Sequence, residues 1–151
     1  MISMRQKIIC FGFSLLAIIL LSSPVKAQDG LTIIGNLESV PADMDMTQLQ
    51  AVLRGEQMRW DDGTKVKIAL MKTNTPTGTL ASEKIYNMTG NELNKYFLAL
   101  VFQGKVKAPA FFNTESELEA YIGQTPGAIG VVQNTGNDQV KIVLIDGKKE
   151  I

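Results

Sequence analysis

The sequence predicts a single α/β layered domain behind an N-terminal leader, and three observations carry that expectation. Short β-branched apolar runs alternate with amphipathic segments, the pattern that stacks helices on a sheet. Each amphipathic segment brings its own start and stop residues. After Ala27 no repeat, low-complexity tract or Pro/Gly-rich linker divides the chain.

The leader comes first. Met1 to Lys7 carries two cations, Arg5 and Lys7, and Ile8 to Leu21 is uncharged and almost wholly apolar. Ser22-Ser23-Pro24 breaks that run, and Val25-Lys26-Ala27 places small residues where signal peptidase cuts. The run is shorter than the roughly 18 residues that a stable membrane-spanning helix needs. Residues 1–27 therefore read as a cleaved secretory signal peptide rather than an anchor, and the protein is expected to be periplasmic or secreted. Cys10 lies inside the apolar run without a lipobox, so no lipid anchor is expected.

The remaining stretch, Gln28 to Ile151, is the size of one ordinary domain. It contains neither Cys nor His. Disulfides, a thiol nucleophile, an ordinary zinc site and an imidazole base are thereby excluded, and no metal or cofactor is expected. The whole chain balances 15 basic against 15 acidic residues, and three of the cations, Arg5, Lys7 and Lys26, leave with the leader. A net negative domain without basic clusters is a poor partner for nucleic acid.

In chain order, Leu31 to Gly35 reads as a buried strand. Asp43 to Asp45 reads as a polar loop. Thr47 with Gln50 then opens a capping box, before a helix with Leu49, Val52 and Leu53 on one stripe and Gly55 as its stop. Val66 to Met71 is a second strand. The polar loop Thr73–Thr79 leads into a helix that places Ala81, Ile85 and Met88 on one face. Thr89 with Glu92 opens the next helix, whose Leu93, Tyr96, Phe97, Leu100 and Val101 follow core-facing spacing up to Gly104. Thr114 with Glu117 opens a short helix carrying Leu118, Tyr121 and Ile122 as far as Gly123. Ala128 to Val132 and Val140 to Ile145 are the last strands, joined through Asn134–Asp138.

Candidate chemistry is sparse. Asp61-Asp62 beside Trp60, and Asp43 with Asp45, are carboxylate pairs in predicted turns, where solvated Asp is the ordinary occupant. Glu115, Glu117 and Glu119 suit the first turn of a helix, where acids are stabilised by the dipole. Thr75-Pro76-Thr77-Gly78-Thr79 is more informative. A strand-to-helix loop with hydroxyls and free N–H groups at a helix start can hold an oxyanion; equally, one Thr can simply be the N-cap and the Gly can fit the turn.

Leu53-Arg-Gly55, Arg59-Trp-Asp-Asp-Gly63, a strand, Thr77-Gly-Thr79 and Pro126-Gly-Ala-Ile-Gly-Val-Val132 follow one another in a recognisable order. This order resembles the second lobe of the phosphate-binding protein of bacterial phosphate ABC importers, a type II periplasmic binding fold, over roughly Leu31 to Val132. The resemblance implies a three-layer domain equal to one lobe of that fold. It also implies an oxyanion such as phosphate as ligand, held at Thr77, Gly78 and Thr79. In that family the loop reads Arg-x-Asp-Gly-Ser-Gly-Thr. Thr73 stands here at its Arg position, Thr75 at its Asp position and Pro76 at its first Gly. The bidentate donor and its charge are thus absent.

Two functions follow. The first is a non-catalytic exported solute-binding domain, in which a homodimer or an envelope partner supplies the second wall of the site. The second is an extracytoplasmic protein-interaction module that kept the fold and lost the ligand site. They differ in one geometric expectation: an open groove with unpaired donors at Thr77 to Thr79 for the first, internally bonded donors for the second. A hydrolase is the weakest reading, since nothing resembles an activated nucleophile.

Overall fold

The computed structural model describes residues 29–151. The leader assigned to residues 1–27 lies outside the described residues. Ten elements follow one another: β1 (Thr32–Asn36), β2 (Asp43–Met44), α1 (Met46–Leu53), β3 (Lys67–Met71), α2 (Pro76–Lys84), α3 (Gly90–Phe102), β4 (Ala110–Phe112), α4 (Glu115–Gln124), β5 (Ala128–Val132) and β6 (Val140–Ile145).

The six strands form one mixed sheet in the order β2-β6-β1-β5-β3-β4. β1 runs antiparallel to both its neighbours, with Ile33 opposite Val131 of β5 and Val143 of β6. β3 lies parallel to β5 on one side and to β4 on the other. The α/β expectation is met, and the sheet divides the domain into three layers.

Strand alternation explains the layers. Successive side chains point to opposite faces, so neighbouring residues of each strand enter different cores. Ile33, Leu70, Ile129, Val131 and Val143 join Leu49, Val52, Leu53, Ile85, Leu93 and Phe97 from α1, the α2–α3 segment and α3. Ile34, Ala69, Met71, Ala128 and Val132 meet Leu118 and Ile122 of α4 on the other face. β1, β5 and the end of β3 are buried on both faces, which is why they read as unbroken apolar runs rather than alternating ones.

Several local expectations are corrected. Thr47 does not open α1: Asp45 is the N-cap, accepting from the Gln48 amide at 2.7 Å, because Asp-x-x fits the same geometry two residues earlier. Asp43 is not in a loop but in β2, a two-residue strand parallel to β6 at the sheet edge. The Thr73–Thr79 loop is shorter than expected, since Thr75 is the N-cap and Pro76 the first residue of α2. That helix ends at Lys84, so Ile85 is its cap residue and Met88 lies beyond it. Val101 is exposed, not core-facing; with Leu98 and Phe102 it forms an outer apolar stripe on α3. The Thr89–Glu92 box forms in full, with bonds of 2.7 and 3.3 Å. Thr114 caps α4, which ends at Gln124.

Trp60, beside the predicted Asp61-Asp62 turn, is buried: it is 3% exposed, and its indole N–H donates to the Gly127 carbonyl at 2.9 Å. The two motifs Arg59–Gly63 and Pro126–Val132, 67 residues apart at this bond, thus meet in space. Gly127 is required there twice over. Its φ is +79°, and a Cβ would come within 2.3 Å of the Lys65 carbonyl. Phe111 and Phe112 are half-buried on the edge strand β4, one packed against each core.

Candidate functional site

β3, β4 and β5 are mutually parallel, so their carboxyl ends, Met71, Phe112 and Val132, share one edge of the sheet. In open α/β sheets ligands bind outside such ends, where helix N-termini converge. Thr77, Gly78 and Thr79 lie on this edge, in the first turn of α2. The loop before them is short because Thr75 and Pro76 start the helix at once: Thr caps, and Pro at N1 loses no bond.

Little is left open at these three residues. The Thr77 hydroxyl donates to Oε1 of Glu115 at 2.6 Å, and Thr77 is 5% exposed. The Gly78 amide donates to the Thr75 hydroxyl at 3.1 Å, and that hydroxyl donates to the Lys72 carbonyl at 2.7 Å. The Thr79 amide donates to the Thr75 carbonyl at 2.9 Å, and its hydroxyl to the Thr73 carbonyl at 3.0 Å. The Thr73 hydroxyl in turn accepts from Asn94 at 3.1 Å. Among Thr77, Gly78 and Thr79 the Thr77 amide is the one donor with no acceptor among the described residues. Gly78 is there for close approach, since a Cβ would sit 2.0 Å from the Lys72 carbonyl oxygen.

Glu115 closes the edge. The first residue of α4, it receives the Thr77 hydroxyl from the start of α2 and the Gln133 amide from the end of β5, at 2.6 and 2.8 Å on one oxygen. Its carboxylate therefore sits between two helix N-termini, where negative charge is favoured. Sequence reasoning assigned Glu115 to the dipole of α4 alone. The contact to Thr77 spans 38 positions, and no local pattern announces it.

One member of each carboxylate pair has a structural partner. Asp45 caps α1. Asp62 shapes the hairpin turn, accepting from the Thr64 amide at 2.8 Å; the Ser39 hydroxyl first, then Thr64, hold its carboxyl below the usual range. Among the described residues no group of three or more His, Cys, Asp or Glu is placed to hold a metal ion. Lys72, beside the loop, is exposed.

A second concavity lies at the other end of β3. A cleft of about 390 Å³ opens between the β3 edge and the chain at 106–108, with Met58, Val66, Ile68 and Val106 among its apolar residues.

The mixed sheet, with three helices on one face and one on the other, defines a class: the lobe fold of periplasmic binding proteins. Solved structures share this fold. A protein of Clostridium perfringens assigned as a phosphate ABC transporter substrate-binding protein, solved with phosphate bound, matches with a TM-score of 0.60 at 16% identity, over 79% of this chain and 46% of that one. An ABC-type phosphate transport receptor from Vibrio cholerae matches at 0.61 and 12% identity, over 80% and 48%. PstS from Borrelia burgdorferi matches at 0.56 and 15%, over 79% and 48%. The chain spans about half the length of the solved structures it matches. No family model and no curated protein matches it. Among the described residues no helix is long and apolar enough to cross a membrane.

Proposed function

We propose that this chain is a non-catalytic, exported domain of the binding-protein lobe fold that works through contacts with other proteins, its oxyanion end being occupied by its own carboxylate. One observation carries the reading: Glu115 Oε1 takes both the Thr77 hydroxyl and the Gln133 amide, two donors that meet at this edge. A resident carboxylate also repels a second anion at contact distance, and in a partly desolvated edge that repulsion is weakly screened. The outer stripe of Leu98, Val101 and Phe102 supports an interaction role, because scattered single apolar residues are ordinary but a helical i, i+3, i+4 set is not.

Export rests on the leader at residues 1–27, with Gln28–Ile151 as the working domain in the periplasm or outside the cell. The mature N-terminus, read by mass spectrometry of the exported protein, is expected at Gln28; an intact Met1 contradicts it.

The solute-binding reading keeps one observation in its favour. The Thr77 amide points from a helix N-terminus without an acceptor, in a fold whose Clostridium perfringens relative was solved with phosphate. In that reading Thr77, Gly78 and Thr79 hold the anion and a homodimer or envelope partner covers it. The melting temperature in rising phosphate separates the two. Ligand that binds only the folded state raises it with concentration, whereas the interaction reading expects no change at millimolar phosphate.

A further inference from the structure

We propose that the cleft at the amino end of β3 is a docking site for an extended, acidic segment of a protein partner. The proposal deepens the interaction reading above and rests on it.

The cleft is an edge groove rather than a pocket in one face. The β3–β4 ladder begins only at Ala69 opposite Ala110. Lys67 and Ile68 are paired to Ala128 and Ile129 of β5 on one side, and no strand lies opposite them on the other. The chain at 106–108 instead stands off and forms the far wall. Both faces of the strand contribute to the lining: Val66 and Ile68 from one, Lys65 and Lys67 from the other. Met58 and Arg59 pair with Val66 and Lys65 just before β3, so the gap between that hairpin and the chain at 106–108 is a short slot at Lys67 and Ile68. An extended segment can lie across it, its alternate side chains supplying selectivity.

Charge names the partner. Arg59, Lys65, Lys67 and Lys107 line the groove, and no Asp or Glu does. All four are exposed, and none forms an ion pair among the described residues. The domain is net negative and its sequence has no basic run, so four cations that only the fold brings around one apolar cleft correct that expectation and run against the average. An incoming strand with apolar residues on one side and Asp or Glu on the other would meet Met58, Val66, Ile68 and Val106 as well as the cationic rim. A basic or neutral segment would leave those cations crowded and unpaired, which is how such a rim rejects wrong partners. This end of β3 is the one away from Thr77 and Glu115, so the groove and the closed edge are separate places.

The test is selection of a random peptide library on the purified protein, with the leading peptide then titrated by NMR. The expected result is enrichment of sequences that mix Asp or Glu with apolar residues, and saturable shifts of the Ile68, Val106 and Ala108 amides. Affinity should drop roughly tenfold or more in the Lys65→Glu, Lys67→Glu double variant and weaken with salt. No enrichment, enrichment of basic or neutral sequences, or shifts away from the groove would overturn the proposal. Saturation of the groove by decanoate with no peptide selected would overturn it in favour of a small amphiphile. A phosphate titration of the same sample keeps the two readings apart: movement at Thr77 and Gly78 sinks the interaction reading, whereas the peptide result decides the groove.

Discussion

The two ends of β3 are built oppositely. At the carboxyl end every hydroxyl of Thr73, Thr75, Thr77 and Thr79 has a partner within the chain, and Gly78 packs against the Lys72 carbonyl with no room for a methyl group. At the amino end Lys67 and Ile68 have no strand on the β4 side, four cations lack counter-charges among the described residues, and a cleft of about 390 Å³ stands open. Buried polar groups must be satisfied somewhere. In an apo binding site that satisfaction is left for the ligand, and here the protein supplies it itself at the end where the fold would place a ligand. The contrast locates the free binding capacity of the domain on the edge that the fold resemblance does not point to.

The largest effect should come from Gly78→Ala. Its new Cβ meets backbone rather than a movable side chain, so α2 must shift, at a cost of about 3 kcal/mol. Chemical denaturation would read it, and an unchanged midpoint would mean that the carboxyl end of β3 is looser than described. Glu115→Ala comes next, at about 2 kcal/mol, because the buried Thr77 hydroxyl and the Gln133 amide both lose their acceptor. The same change removes the resident negative charge, so phosphate should raise the melting temperature of this variant although it leaves the wild type unmoved.

Tyr86 calibrates both ends against the core between them. Burial, with a smaller contribution from Tyr96, pushes its hydroxyl well above the ordinary tyrosine range, and that hydroxyl donates to the Leu53 carbonyl at 2.9 Å. A folded-state pKa raised above the unfolded value gives stability that is complete below about pH 10 and lost as pH rises beyond it. Tyr86→Phe should cost about 1 kcal/mol at neutral pH and flatten the alkaline decline. An equally steep decline in the variant would show that Tyr86 does not titrate with unfolding. The smallest effect is expected at the open end, where Lys65→Glu with Lys67→Glu should change stability by no more than about 0.5 kcal/mol, as at exposed positions without partners.

How much of this was legible in the sequence follows the range of the interactions. β1, β3, β5 and β6 were legible because their β-branched runs are local signals, and so were the Thr89 and Thr114 caps. β2 and β4 were not: two and three residues carry no period, and both exist only because a neighbouring strand offers a ladder. The start of α2 was available in Thr75-Pro76, a cap followed by an N1 proline, but the polar composition of Thr73–Thr79 outweighed it. The acceptor that holds Trp60, the Gly127 carbonyl, was not legible because it is remote in the chain. Of the candidate site, Thr77 to Thr79 were read as a loop ahead of a helix and lie in its first turn, while Glu115, which bonds that turn, depends on a contact made only when α2, α4 and β5 come together. The groove was invisible for the same reason: its walls are brought together from the hairpin, β3 and the chain after α3.

With the carboxyl end of β3 closed by Glu115, phosphate should find no site there. Titrating the wild-type protein with inorganic phosphate, and following the Thr77, Gly78, Thr79 and Gln133 amides by NMR, tests it most directly. None of the four is expected to move up to millimolar phosphate. Saturable movement of Thr77 and Gly78 together would contradict it and would make this edge an oxyanion site after all.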